Sequence, residues 1–221
     1  GDSIGLDFYA SAHLELNTGS ATRNVRYYNL TTEEVTNVDV LPGFKLVVQG
    51  DVQFIGLARA SGMVSITIRN RAFELAFDIA IKLGPLNVKA AGFAGIYADD
   101  NPGFAMRLAV SLNLNLLDIV KIKAAGELQL NTCSIARNAN GTMLGAKSFR
   151  MVLQGNVNIL EVIKFDASFV IQIGGGNVTV GRGVTQRVFN LGPSDWVIDF
   201  SARAGFFGLA TLGAEGWIHS S

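Results

Sequence analysis

Two histidines, one cysteine and a few acidic pairs are the residues here with the right type for catalysis or metal binding. His13 falls in an alternating stretch beside Leu14, and an internal alignment sets Glu127 against it. A general base is not interchangeable with glutamate, so His13 reads as a surface histidine. His219 lies in Trp217-Ile218-His219-Ser220-Ser221, where fraying is expected. Cys133 has no histidine near it in sequence and reads as a poor nucleophile. Asp99-Asp100-Asn101-Pro102-Gly103 offers oxygen ligands, but it lacks the alternating acids and distant glutamate of a calcium loop and reads as a turn. Gly174-Gly175-Gly176-Asn177 is followed by the strand-like Val178-Thr179-Val180, whereas a phosphate cradle must open a helix. Glu33-Glu34 reads as solvated loop. No Gly-x-Ser-x-Gly elbow or His-Glu-x-x-His pair occurs. No catalytic, cofactor-binding or metal-binding residue is assigned, and the chain is not expected to be an enzyme.

What these residues sit on is more informative. The 221 residues are 49% hydrophobic and 16% charged, with 18 basic side chains balancing 18 acidic ones. Apolar content of that order supports a folded chain rather than a disordered one. Zero net charge and the lack of a basic run argue against nucleic acid as a partner. No apolar run approaches the ~20 residues of a membrane helix, and nothing at the start reads as a signal peptide.

The hydrophobic pattern has a period of two. Phe44, Leu46, Val48, Val52 and Phe54 alternate with Lys45, Gln49, Asp51 and Gln53; Phe73 to Leu83 and Met106 to Leu116 repeat the pattern. Such alternation over ten or more residues predicts long strands with one dry and one wet face. Short breaks follow at Ile55-Gly56, Gly84-Pro85, Leu117-Asp118, Leu160-Glu161 and Gly208-Leu209, and these read as hairpin turns. The expectation is an all-β fold, an antiparallel meander of about eleven long amphipathic strands. A sandwich, a barrel and an elongated curved sheet all satisfy the pattern. The dry face is expected to be a filled core, with Phe44, Phe73, Phe149 and Trp196 stacked as a ladder at one end.

The sequence also repeats itself. Residues 10–24, ASAHLELNTGSATRN, align without a gap on 124–138, AAGELQLNTCSIARN, with eight of fifteen positions identical. FKLVVQGDVQFIGLARASGMVSITI (44–68) aligns on FRMVLQGNVNILEVIKFDASFVIQI (149–173), and 73–94 on 196–218. Two homologous modules are therefore expected, 1–103 and 104–221. The first begins at the equivalent of the second module's later run and so lacks its opening strand. The Asn-Thr pairs Asn17-Thr18 and Asn131-Thr132 are expected to bond turn amides.

The ends NTGSATRN and NTCSIARN and the starts FKLVVQGDVQFIG and FRMVLQGNVNILE resemble the repeat modules of very long secreted or cell-surface bacterial proteins. The resemblance implies a non-catalytic structural element, a scaffold, stalk or adhesin-like module, outside the cell or at its surface. Its partners would be neighbouring copies or adjacent repeats. A β-trough binding or transporting hydrophobic ligand or lipid is the alternative, and an outer-membrane β-barrel a further one. Membrane insertion is not expected, because four tyrosines and two tryptophans are few for two aromatic girdles and the wet face carries many Ala and Val residues.

Overall fold

The computed structural model describes residues 6–29, 32–54 and 58–220. Its main feature is one eleven-stranded antiparallel sheet that is not closed into a barrel. In chain order the strands are β1 (Leu6–Asn17), β2 (Arg23–Asn29), β3 (Glu34–Val40), β4 (Gly43–Phe54), β5 (Ala58–Arg69), β6 (Ala72–Leu83), β7 (Leu86–Tyr97), β8 (Gly103–Leu116) and β9 (Val120–Asn131). They continue with β10 (Arg137–Ala139), β11 (Thr142–Leu144), β12 (Ser148–Ile159), β13 (Ile163–Ile173), β14 (Gly176–Val180), β15 (Arg187–Leu191), β16 (Trp196–Phe206) and β17 (Ala210–His219). The large sheet has the order β1-β4-β5-β6-β7-β8-β9-β12-β13-β16-β17, a meander interrupted by three small hairpins, β2-β3, β10-β11 and β14-β15. The all-β meander follows the period of two directly. The sheet runs without a break through residue 103, where β7 pairs with β8.

The two ends of the sheet differ. Among the described residues, the connections at one end are tight turns: Gly84-Pro85, Leu117 to Ile119, Leu160 to Val162 and Phe207 to Leu209. The expected turn at Ile55-Gly56 lies outside the described residues. The small hairpins all rise from the other end, between β1 and β4, β9 and β12, and β13 and β16. Two of these hairpins were legible as loops only, 25–43 and 139–148, because their short strands alternate over too few residues to show a period.

Register assembles the sequence pattern into two faces. Leu14, Leu46, Ile66, Leu75, Ala94, Met106, Leu130, Phe149, Ile173 and Trp196 form one row across the strands. Every other row on that side is likewise built of Leu, Ile, Val, Phe, Met, Ala and Gly, with no charged or hydrogen-bonding side chain among the described strand positions. The opposite face carries Lys45, Asp51, Asp78, Lys89, Arg107, Glu127, Asp166 and Arg203. Glycines on the apolar face serve as floors for large rings. A Cβ at Gly92 would overlap the Phe77 ring, and one at Gly216 would meet Phe200 at 3.1 Å.

The expected filled core and aromatic ladder are not what the structure holds. Buried apolar side chains are few, and they lie where the small hairpins meet the sheet: Phe93, Tyr97, Ala105, Cys133, Ala139 and Leu144 in one cluster, Val178, Val180, Leu191 and Val197 in another. The alternation reports which residues share a face, but it does not report whether anything covers that face. The ladder fails because of register: Ile68 separates Phe44 from Phe73, and Ile173 separates Phe149 from Trp196.

Candidate functional site

Two corners at the hairpin end repeat one another in detail. Asn131, almost fully buried, donates from Nδ2 to the carbonyls of Ile135 (2.9 Å), Leu144 (3.2 Å) and Gly145 (2.9 Å), while its Oδ1 accepts from Cys133 N–H (2.9 Å). Asn17 donates to the carbonyls of Ala21 and Val40, both at 2.9 Å, and its Oδ1 accepts from Gly19 N–H (3.0 Å). Each amide closes the turn after its strand and ties down the hairpin that follows, as the Asn-Thr pairs suggested. The strand pairings match as well: Leu16 faces Phe44 on β1-β4, and Leu130 faces Phe149 on β9-β12.

The corners differ in their surroundings. At the second, the β7-β8 connection stands alongside. Thr132 Oγ1 accepts from Phe104 N–H (2.8 Å) and donates to Phe104 O (3.2 Å), and Ser134 Oγ donates to Asn101 Oδ1 (2.7 Å). Arg137 makes a forked pair with Asp99, 2.9 and 2.7 Å, and donates to Asn101 O (2.6 Å). Its guanidinium lies 3.9 Å above the Tyr97 ring, and Tyr97 donates to Glu74 (3.0 Å). The pairing with Arg137 and the Asn101 N–H hold the Asp99 carboxyl below its ordinary range. Burial, with Glu74 beside it, raises the Tyr97 phenol far above its own. The Asp99-Asp100-Asn101 turn is thus the acceptor for an arginine. At the first corner, Thr18, Ser20 and Arg23 occupy the equivalent places, and among the described residues their side chains have no hydrogen-bonded partner.

The other sequence candidates are dispersed. His13 lies on the polar face, 3.2 Å from Glu15 and edge-on to Tyr27, in a hollow beneath β2-β3. Glu15 also accepts from Lys45 (3.1 Å) and Arg69 (3.3 Å). His219 packs against Phe189 and Trp217 at the other edge. Cys133 is buried beneath β10-β11. Glu33 sits in the β2-β3 turn. Gly176 opens β14, and Gly174 to Gly176 all adopt positive φ, the backbone freedom this connection requires. The structure does not bring these residues together.

Sequence reasoning passed over one surface and expected another, the apolar face, to be covered. One is a hollow of about 690 Å³ on the polar face, reaching from Asn87 on β7 to Ser201 on β16 and lined by Lys89, Lys123, Gln154 and Asp166. The other is the bare apolar face. Leu14, Ile79, Leu153, Phe165 and Phe200 are all exposed on it. At the tight-turn end, Leu117 (82% accessible), Leu160, Phe207 and Leu209 (89%) extend the apolar surface past the strands. No family model matches the sequence, and neither the curated proteins nor the solved structures contain a significant match.

Proposed function

We propose that this protein is a non-catalytic structural module that forms a wall by joining neighbours along the edges of its sheet, outside the cell or at its surface. The observation that carries the reading is the state of those edges. β1 and β17 are twelve and ten residues long and pair on one side only among the described residues. Isolated sheets blunt such edges with lysine, proline or a covering segment. Neither strand contains a lysine or a proline. The correspondence of the two Asn corners supports a repeating construction, in which each unit meets the next through the same kind of contact. Sedimentation at several protein concentrations tests the proposal. Concentration-dependent association is expected, weakened by Ser11→Lys on β1 combined with Gly213→Lys on β17. A strictly monomeric particle over the whole range overturns it.

A second reading, a lipid-facing wall of the outer-membrane type, is favoured by the bare apolar face. A monomer in water seldom exposes an apolar patch beyond ~600 Å², whereas this one spans all eleven strands. Twelve residues at about 3.3 Å each, tilted by ~45°, rise close to 28 Å, near the thickness of bilayer hydrocarbon. The polar face is the hollow one, which suits a water-filled interior, and its small residues suit the inside of a curve. Trp196 lies on the apolar face and Trp217 on the polar face against Phe189. In vesicles of phosphatidylcholine with brominated acyl chains, W217F, which retains Trp196, should be quenched several times more than W196F. Equal or absent quenching in both variants removes the lipid reading.

A further inference from the structure

We infer that the free edge of β1 is a socket for an incoming antiparallel strand that opens with an Asp-x-Asn turn, the arginine of the socket being Arg23. The inference rests on the edge-joining function proposed above and names the chemistry of its partner.

The second corner is the template. There Thr132, Ser134 and Arg137 do not serve their own hairpin alone: they reach sideways to Phe104, Asn101 and Asp99 of the adjoining connection and strand. The same three residue types recur at the same spacing after β1, as Thr18, Ser20 and Arg23. The local frame that presents them is also the same, since Asn17 and Asn131 bond their turns alike. Among the described residues, no strand and no connection stands beside them on the free side of β1. The arginine, serine and threonine side chains make no hydrogen bond to the described residues at the first corner, whereas a partner strand there would receive the forked carboxylate contact, the amide contact and the backbone contact of the second corner.

Along the rest of the edge, the apolar side fits the same occupant. In the β8-β9 pairing Arg107 faces Gln129 and bonds Glu127 at 2.6 Å. The place of Gln129 on β1 is taken by Glu15, a carboxylate held below its ordinary range: burial opposes ionisation, but Lys45 and His13 outweigh it. Glu15 already accepts from Lys45 and Arg69, and the place of Glu127 itself is taken by His13, so the charge pattern of this part of the edge is its own. On the apolar side, the positions of Met106 and Leu108 would fall beside Leu16 and Leu14, both exposed at present. In a second copy of this chain, β8 is held between β7 and β9, so the partner is a strand with this chemistry other than that β8.

The segment of this chain that fills the template socket supplies the probe. A fluorescent synthetic peptide with the sequence of residues 98–116 should bind the folded protein saturably, read by anisotropy. Arg23→Ala should weaken binding about tenfold or more, the loss of one charged, forked contact. Arg23→Lys should recover only part of it, because an ammonium cannot form the fork. Asp99→Asn in the peptide should cost as much, and combining it with Arg23→Ala in the protein should cost little more. Arg203→Ala, far from β1, should leave binding unchanged. Circular dichroism of each variant reports that the sheet has formed. Absence of peptide binding to the folded wild-type protein, or binding that ignores Arg23, overturns the socket. Self-association that persists without peptide binding removes the socket but keeps edge joining. Peptide binding by a protein that never self-associates keeps the socket and removes joining between copies.

Discussion

Arg137 and Arg23 show how much a side chain's role depends on what stands next to it. One is clamped to Asp99 and stacked on Tyr97, and the other's side chain has no hydrogen-bonded partner among the described residues. Buried polar groups give the sharpest predictions at this scale. Asn131→Ala strips three carbonyls and one amide of their partner inside the fold, and should cost about 3 kcal/mol in a denaturant titration. Asn17→Ala, with fewer contacts beside an open edge, should cost roughly half of that. Glu127 supplies a pH-dependent term. Burial works against its ionisation, but Gln129 and Arg107 more than compensate, and its folded pKa lies below the ordinary glutamate range. Its contribution is therefore present above the unfolded pKa and disappears as pH falls through the folded one. Glu127→Gln should flatten the acid limb of the midpoint-versus-pH curve between about pH 5 and 3 while leaving the neutral region less stable.

At the scale of elements, the strands were legible and their setting was not. Alternation over Phe44 to Phe54 and Phe73 to Leu83 marks two faces without ambiguity, because pleating admits a single period. The Asn-Thr corners were visible as repeated letters, and their turn-closing bonds followed from what an asparagine amide does best. The lateral bonds of Thr132, Ser134 and Arg137 were not visible, since they depend on which strand lies alongside. The aromatic ladder failed for the same reason. Turn composition shows what the tips gain from apolar residues. Leu117, Leu160 and Phe207 all have φ near +50°, a region where asparagine or glycine is at ease and a bulky side chain is strained. Two of the three backbones are tied laterally, Leu160 N–H to Ile119 O (2.8 Å) and Phe207 N–H to Val162 O (2.6 Å), but this bonding needs no apolar side chain. Replacing the three with asparagine should therefore stabilise the isolated protein by about 0.5–1 kcal/mol each in thermal melts. If the tips enter lipid, the same triple variant should bind vesicles less well.

At the scale of the whole molecule, the contrast between faces becomes a test of whether the sheet is a single layer in solution. Ile79 is exposed on the apolar face, so Ile79→Asp should cost no more than about 1 kcal/mol in dilute protein. Under conditions where the face is covered, the same carboxylate should cost several kcal/mol, because it would be buried without a partner. Chemical denaturation with and without phosphatidylcholine vesicles measures the difference. Equal small costs in both would mean that vesicles do not cover the face.

Eleven is an odd number, and that has a consequence for any ring or ribbon made from this sheet. In a meander successive strands reverse direction, so an odd count leaves β1 and β17 pointing the same way, both running from the tight-turn end toward the hairpins. Copies set side by side with the same end up would meet through a parallel seam, slightly weaker per residue than the ladders within each copy. An antiparallel seam that keeps all apolar faces on one side requires every second copy to stand on its head, so that hairpins decorate both rims alternately. A single added strand beside β1 restores even parity, lets every copy stand upright, and makes every seam antiparallel. The direction of the edges thus turns a question of affinity into one of arithmetic.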